Sequence, residues 1–302
     1  MRIFDTLIQL MAAFPDEQSA IDHFTAIRWK NGAFCSYCGS TRVYHFSDKR
    51  THKCADCRKR FSIKVGTIFE DSKIELRAWL MAIWLITSHK KGIASTTLAK
   101  DLGVTQKTAW FMTQRLRYAV RTKSFNAPLA GDIEADEMYH GGRERNKHAS
   151  KRTGGKQGGS GKVAVLGLPQ RDGELRTAIT DDMKGETVQT LIKANVAPGS
   201  NLMTDSHHAF RRLGSIYNHE RVNHTMGEYV RGCFHTNGIE SVWALFKRQV
   251  IGIHHFISPK HFGRYLGEMT WRFNNRNIGE GNRVNALLAL SDGRLTYKEL
   301  IA

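Results

Sequence analysis

The chain has 302 residues, 41% of them apolar, with 5 Pro, which suffices for about two folded domains and excludes a disordered tail. Forty-five Lys and Arg against 28 Asp and Glu leave a formal charge of +17, which excludes an ordinary acidic metabolic enzyme and favours nucleic acid as partner. The longest apolar run, Ala78 to Thr87, has ten residues where a membrane span needs about 20, so a buried helix is expected and no membrane partner.

Composition divides the chain into 1–66, 67–126, 127–278 and 279–302. Met1 to Phe14 places Phe4, Leu7, Ile8 and Met11 at helical spacing but carries Asp5 and Gln9. A secretory signal needs an unbroken apolar stretch and a small-residue cleavage site, so the expected location is cytoplasmic. A second helix is expected over Asp16 to Trp29. Cys35 and Cys38 then form one C-x2-C and Cys54 and Cys57 another, with fifteen residues between the pairs. Two tight turns bring four thiolates together as a closed tetrahedral site, which predicts a structural Zn2+ without catalytic role. Residues 39 to 64 carry eight Lys or Arg and two Asp, among them Arg58, Lys59 and Arg60, interleaved with Tyr44, Phe46 and Phe61. That composition suits contact with DNA phosphates.

From Ile74 to about Lys123 the period is helical. Gly92 to Tyr118 predicts two helices joined by a tight turn, with Ser95 capping the first, Gly103 ending it and Thr105 capping the second. The spacing fits a helix-turn-helix whose second helix would offer Gln106, Lys107, Thr108, Gln114 and Arg115 to a groove. A plain α-hairpin has the same pattern.

After Pro128 the pattern changes to short strands at Ile133 to Tyr139, Lys162 to Pro169, Leu175 to Thr180 and Asn201 to Asp205, with helices at Gly185 to Asn195, Asn237 to about Val250 and Pro259 to Asn274. The alternation indicates an α/β domain. Gly141 to Lys162 holds seven Gly and seven Lys or Arg against one Glu and is expected to be a mobile basic loop. Residues 279 to 302 are expected to be helical and peripheral.

Three carboxylates stand out in this basic chain. Asp136 ends a strand, Asp205 ends another, and Glu240 lies in the helix that opens His235-Thr-Asn-Gly-Ile-Glu-Ser-Val-Trp. Lys247 follows Glu240 by seven positions, two helical turns, so both point the same way. Acids from separate segments suit phosphoryl transfer with two Mg2+ or Mn2+ ions, because hard cations prefer oxygen ligands. Glu134 and Glu137 are rivals to Asp136, the first by strand alternation and the second by adjacency. His207, His208, His219, His224 and His235 with Cys233 lack a tight ligand pair, and phosphate contacts or structural hydrogen bonds are expected of them. No P-loop is present, so no nucleotide cofactor is expected.

Arg28-Trp-Lys-Asn-Gly before Cys35-Ser-Tyr-Cys-Gly, Ala135-Asp-Glu-Met-Tyr-His-Gly-Gly, Thr204-Asp205, Val222-Asn-His, the helical motif through Lys247-Arg248, and Arg272-Phe-Asn-Asn-Arg together resemble bacterial insertion-sequence transposases of the ISXO-like group. The resemblance covers nearly the whole chain. It implies a multidomain α/β protein in which a zinc ribbon and helix-turn-helix precede an RNase H-like DDE domain. It further implies Asp136, Asp205 and Glu240 as the metal-binding triad and Lys247 as the basic residue two turns on. The activity it implies is binding of element ends, DNA cleavage and joining of the 3′ hydroxyl to target DNA, by a homo-oligomer holding two ends. A non-catalytic DNA-binding regulator and a metal nuclease without strand transfer are the alternatives.

Overall fold

The structure, a computed structural model, describes residues 3–121, 127–142, 148–152, 161–222, 226–228 and 230–301. Contacts divide the chain into two compact units, Met1–Arg121 with Asn275–Ala302, and Thr122–Asn274. Among the described residues no helix is long and apolar enough to cross a membrane.

The first unit opens with helices α1 (Leu7–Ala13) and α2 (Glu17–Arg28), each started by a capping box, on Thr6 and Asp16. A three-stranded antiparallel sheet follows, β1 (Val43–His45), β2 (Thr51–Cys54) and β3 (Arg60–Ser62). Arg28 joins helix to ribbon: its guanidinium donates to the carbonyls of Ile63 (2.5 Å) and Val65 (2.8 Å) and pairs with Asp292. Trp29 packs edge-on against His52, with ring centroids 4.7 Å apart. The apolar run becomes α3 (Leu76–Ser88), with Trp79, Leu80, Ile83 and Ile86 buried.

Helices α4 (Ser95–Leu102) and α5 (Gln106–Ala119) are joined through Gly103, whose φ of 64° is the left-handed value that a side chain disfavours. Thr105 caps α5, accepting from the Thr108 amide. Ser95, expected as the cap of α4, is instead its first residue. Its hydroxyl accepts from Gln106 Nε2 at 3.0 Å, across the turn. The C-terminal residues return to this unit as α9 (Glu280–Ala289) and α10 (Tyr297–Ile301).

The second unit is a five-stranded mixed sheet in the order β6-β5-β4-β7-β8. Its strands are β4 (Asp132–His140), β5 (Val163–Pro169), β6 (Leu175–Thr180), β7 (Asn201–Asp205) and β8 (Asn218–Val222). The first three pair antiparallel, and β4, β7 and β8 run parallel, the RNase H-like arrangement expected. Helix α6 (Gly185–Asn195) makes the β6-to-β7 connection and covers one sheet face, where Ile133, Ala135, Leu202, Val188 and Ile192 form a core. Helices α7 (Asn237–Gln249) and α8 (Pro259–Asn274) cover the other, around Met138, Val165, Trp243 and Phe262. A two-stranded hairpin, β9 (Val230–Arg231) and β10 (Phe234–His235), precedes α7. Most of the glycine-rich basic segment after β4, residues 143–147 and 153–160, lies outside the described residues; Ala149–Lys151 is one 3-10 turn.

Two contacts fix α7. Gly167 on β5 lies so close that a Cβ there would come within 2.4 Å of the Trp243 ring. Buried Arg272 on α8 pairs with Glu268 and donates to Gln249 Oε1, tying α8 to the end of α7. Asn274 closes α8 onto β6 by donating to the Leu175 carbonyl and accepting from its amide.

Candidate active site

Register positions the acids. Strands β4 and β7 pair in parallel up to Ala135 opposite Thr204, so Asp136 and Asp205 follow as the next residues of adjacent strands. Asp136, Glu137 and Asp205 each offer an oxygen within 4.8 Å of the others. Burial pushes the Asp136 carboxyl up to about 7, with the charges of Glu137, Asp205 and Glu240 adding to it. Burial, then Asp205, pushes Glu137 up to about 7 as well. Glu137 Oε2 is buried without a hydrogen-bond partner, and Asp205 is oriented by the His207 amide, which donates to its Oδ1 at 2.9 Å. Half-buried carboxylates that repel one another, one of them with an oxygen that lacks a donor, fit a hard divalent cation.

Glu240 stands near enough to raise the proton affinity of Asp136 but is not among the three acids grouped within 4.8 Å. Its Oε1 accepts from Thr236 Oγ1 at 3.1 Å, one turn back. Lys247 is exposed on α7 and lines a hollow of about 330 Å3 with Tyr139, His140, Gly141 and Phe256.

Glu134 has another task. It is 1% exposed, and its Oε2 accepts from the Ile239 amide in the first turn of α7 at 2.9 Å. Its Oε1 lies 3.2 Å from Arg171 Nε and 3.4 Å from His235 Nδ1. A Cβ on Gly238 would meet this carboxylate at 2.8 Å, so a side chain there would displace it from its bond to Ile239. Glu134 thus anchors the positive end of a helix and is satisfied by protein donors. Sequence reading found no role for Arg171, and nothing local in the sequence pairs it with Glu134.

In the ribbon, Cys35, Cys38, Cys54 and Cys57 form the other group able to hold a metal among the described residues. Sγ atoms of Cys35 and Cys57, and of Cys38 and Cys54, are 3.6 Å apart. A tetrahedron with Zn–S of about 2.3 Å has edges of about 3.8 Å, so the cage has zinc dimensions. Amides of Tyr37 and Cys57 point at Cys35 and Cys54 Sγ, each at 3.4 Å.

Arg58, Lys59 and Arg60 are exposed. Lys59 Nζ sits 4.7 Å from the Tyr37 ring and the Arg60 guanidinium 5.2 Å from that of Phe46, making a cationic and aromatic surface. On α5, Lys107 is exposed and Thr108 half-buried, but Arg115 and Gln114 are buried. Arg115 is not offered to a groove as expected. It donates to the carbonyls of Ile68 (2.7 Å) and Glu70 (2.8 Å), because that turn leaves acceptors unpaired beside the helix. Of the histidines, His219 bonds Thr204 Oγ1, His207 and His235 support acids, and His224 lies outside the described residues.

Residues 128–274 match the ISXO2-like transposase domain and residues 15–60 the transposase zinc-ribbon domain. A transposase-like protein of Haemophilus influenzae is 30% identical over 120 residues, covering 39% of this chain and 94% of that protein. The chain belongs to the ISXO2-like transposase family. A protein in transposable element ISH50 of Halobacterium salinarum is 28% identical to this transposase over 270 residues, covering 84% of this chain and 89% of its own. No solved structure matches the chain significantly.

Proposed function

We propose that this ISXO2-like transposase binds the ends of its insertion sequence, cleaves them by water attack at a phosphodiester, and joins the freed 3′ hydroxyl to target DNA. Water forms a bond to phosphorus as the bond to the 3′ oxygen breaks, leaving a 5′ phosphate and a 3′ hydroxyl. In the second step that hydroxyl attacks a target phosphodiester and the target's own 3′ oxygen leaves. Both steps are in-line displacements, so one site serves both without a covalent protein intermediate. When bound, two Mg2+ or Mn2+ ions would supply charge neutralisation for both displacements.

Asp136, Asp205 and Glu240 would hold those ions, with Glu137 beside them. Lys247 would hold a phosphate from the same helix face as Glu240. Zinc held by Cys35, Cys38, Cys54 and Cys57 keeps the ribbon folded. Arg58, Lys59 and Arg60 with Lys107 and Thr108 are the DNA-contacting candidates, and the active species is a homo-oligomer on DNA. The observation that carries the reading is the convergence of half-buried acids from two strands with Glu240 close enough to raise Asp136. A supercoiled-plasmid assay with Mg2+ tests it. Asp136→Ala, Asp205→Ala and Glu240→Ala are each expected to abolish cutting while DNA binding persists; cutting retained in all three removes the assignment. Joining of pre-cleaved ends separates a transposase from a plain nuclease.

A further inference from the structure

The connection from β7 to β8 carries a second feature beyond the acids. After Asp205 a 3-10 turn, His208–Phe210, leads into Arg211 and Arg212. Both arginines are exposed, while Phe210 before them and Leu213 after them are 0% exposed, locked in the core under α6. Gln189 of α6 donates to the Arg211 carbonyl at 3.0 Å, and Arg212 takes a left-handed φ of 65°. That conformation is disfavoured for a non-glycine residue, and here two adjacent arginines stand exposed on a fixed backbone.

Arg211 and Arg212 line an open hollow of about 560 Å3 with Gly214, His219 and Arg221. Arg221 is exposed on the edge strand β8, in register with Thr204, the residue before Asp205. Among the described residues no carboxylate lies within ion-pair distance of Arg211, Arg212 or Arg221; the nearby Glu220 and Glu228 are taken by Arg231. His219 shares the hollow but is held neutral, burial and the Arg221 charge pushing its ring down to about 4. It spends its Nε2 on Thr204. Three unpaired guanidinium groups around a polar concavity match the fork geometry that recognises phosphate oxygens.

We propose that Arg211, Arg212 and Arg221 form a phosphate-binding subsite that holds a stretch of DNA backbone along the β8 edge. The subsite rests on the reading of this unit as acting on DNA. Its chemistry, a run of phosphodiesters, is common to element-end DNA and target DNA.

Binding of the full-length chain to a random-sequence duplex, measured from about 50 to 200 mM salt, tests the subsite. Each phosphate neutralised contributes about 0.9 to the slope of log affinity against log salt. The Arg211→Ala, Arg212→Ala, Arg221→Ala triple variant is therefore expected to lower the slope by about 2.7. Over that fourfold range the wild type then loses about 40-fold more affinity than the variant. The corresponding triple Lys variant keeps the charges and is expected to keep the slope. An unchanged slope in the Ala variant overturns the proposal, as does equal loss in the Lys variant. If the slope falls, loss of joining with cleavage of ends retained assigns the strand to target DNA, and loss of both assigns it to the element end. A wild type that neither cuts nor joins, yet shows the slope change, leaves the subsite standing and removes the catalytic reading. A wild type that cuts, with no slope change in the Ala variant, removes the subsite alone.

Discussion

Replacing Asp136 by Asn isolates what the acid cluster does to stability. The Asp136 carboxyl is raised from an ordinary 3.8 to about 7, by burial first and by its acidic neighbours second. One unit is worth 1.36 kcal/mol, so about three units set an upper bound near 4 kcal/mol. Solvent screens part of the repulsion at this half-buried site, which leaves about 2–4 kcal/mol. The sign follows from proton counting. Between about pH 4 and 7 the folded state keeps a proton that the unfolded chain has lost, so stability falls as pH rises through that window. Asp136→Asn is therefore expected to unfold at higher temperature than the wild type at pH 8 when divalent metal is absent, and to converge with it near pH 4. For a unit of about 150 residues each kcal/mol shifts the midpoint by about 2–4 °C, so a gap of at least about 4 °C is expected. Thermal unfolding followed by circular dichroism in chelator across this pH range measures it. Added Mg2+ is expected to raise the wild-type midpoint and to move the variant little. A gap as large at pH 4 as at pH 8 would refute the reasoning, since it could not come from titration.

The ribbon core beyond the cysteines is small, centred on Phe61 with Trp29 and Val43, so a chelator strong enough to strip zinc is expected to unfold it. Elemental analysis of the purified chain should find about one zinc per chain, and a metal-free chain that binds DNA normally would count against the assignment. Arg115→Ala leaves the Ile68 and Glu70 carbonyls without their donor and is expected to cost about 2–3 kcal/mol in denaturant unfolding, with the salt slope for DNA unchanged. Gly167→Ala forces the Trp243 ring away and is expected to cost about 1–3 kcal/mol. Its plasmid cutting is expected to fall as α7 shifts Glu240; full activity would show that the close approach does not position that helix.

What the sequence discloses here is what local chemistry decides. The two C-x2-C pairs, Gly103 at the turn between α4 and α5, and the strands that carry Asp136 and Asp205 follow from residue types at short spacing; Asp205 ends β7 as expected, but β4 runs on past Asp136 to His140, because its last residues pair with β5. Strand β8 escapes notice because Asn-His-Glu-Arg-Val has no apolar alternation, as suits an edge strand whose pairing with β7 is set by the rest of the sheet. Arg115 is misplaced by its charge: nothing near it in sequence says that the carbonyls of Ile68 and Glu70 will arrive at its side chain. The return of the C-terminal residues to the first unit is equally non-local. There Gly281 comes so close to the Phe4 carbonyl that a Cβ would stand 2.1 Å from its oxygen.

Glu134 and Asp136 illustrate why rivals on one strand cannot be separated by alternation. They are two residues apart on β4 and share the face that meets α7 and α8. Glu134 meets the first turn of α7, Arg171 and His235, so its charge is balanced by protein groups. Asp136, farther along the strand, meets Glu137, Asp205 and Glu240, and the basic side chain beside this group is an imidazole, His207, 3.9 Å from Glu137 Oε1. The inner acid fixes where α7 begins, and that start places Glu240 one residue beyond the amide Glu134 holds. Occupation of the inner position by a carboxylate thus takes up Arg171, and the outer acids are left with His207 as their basic neighbour.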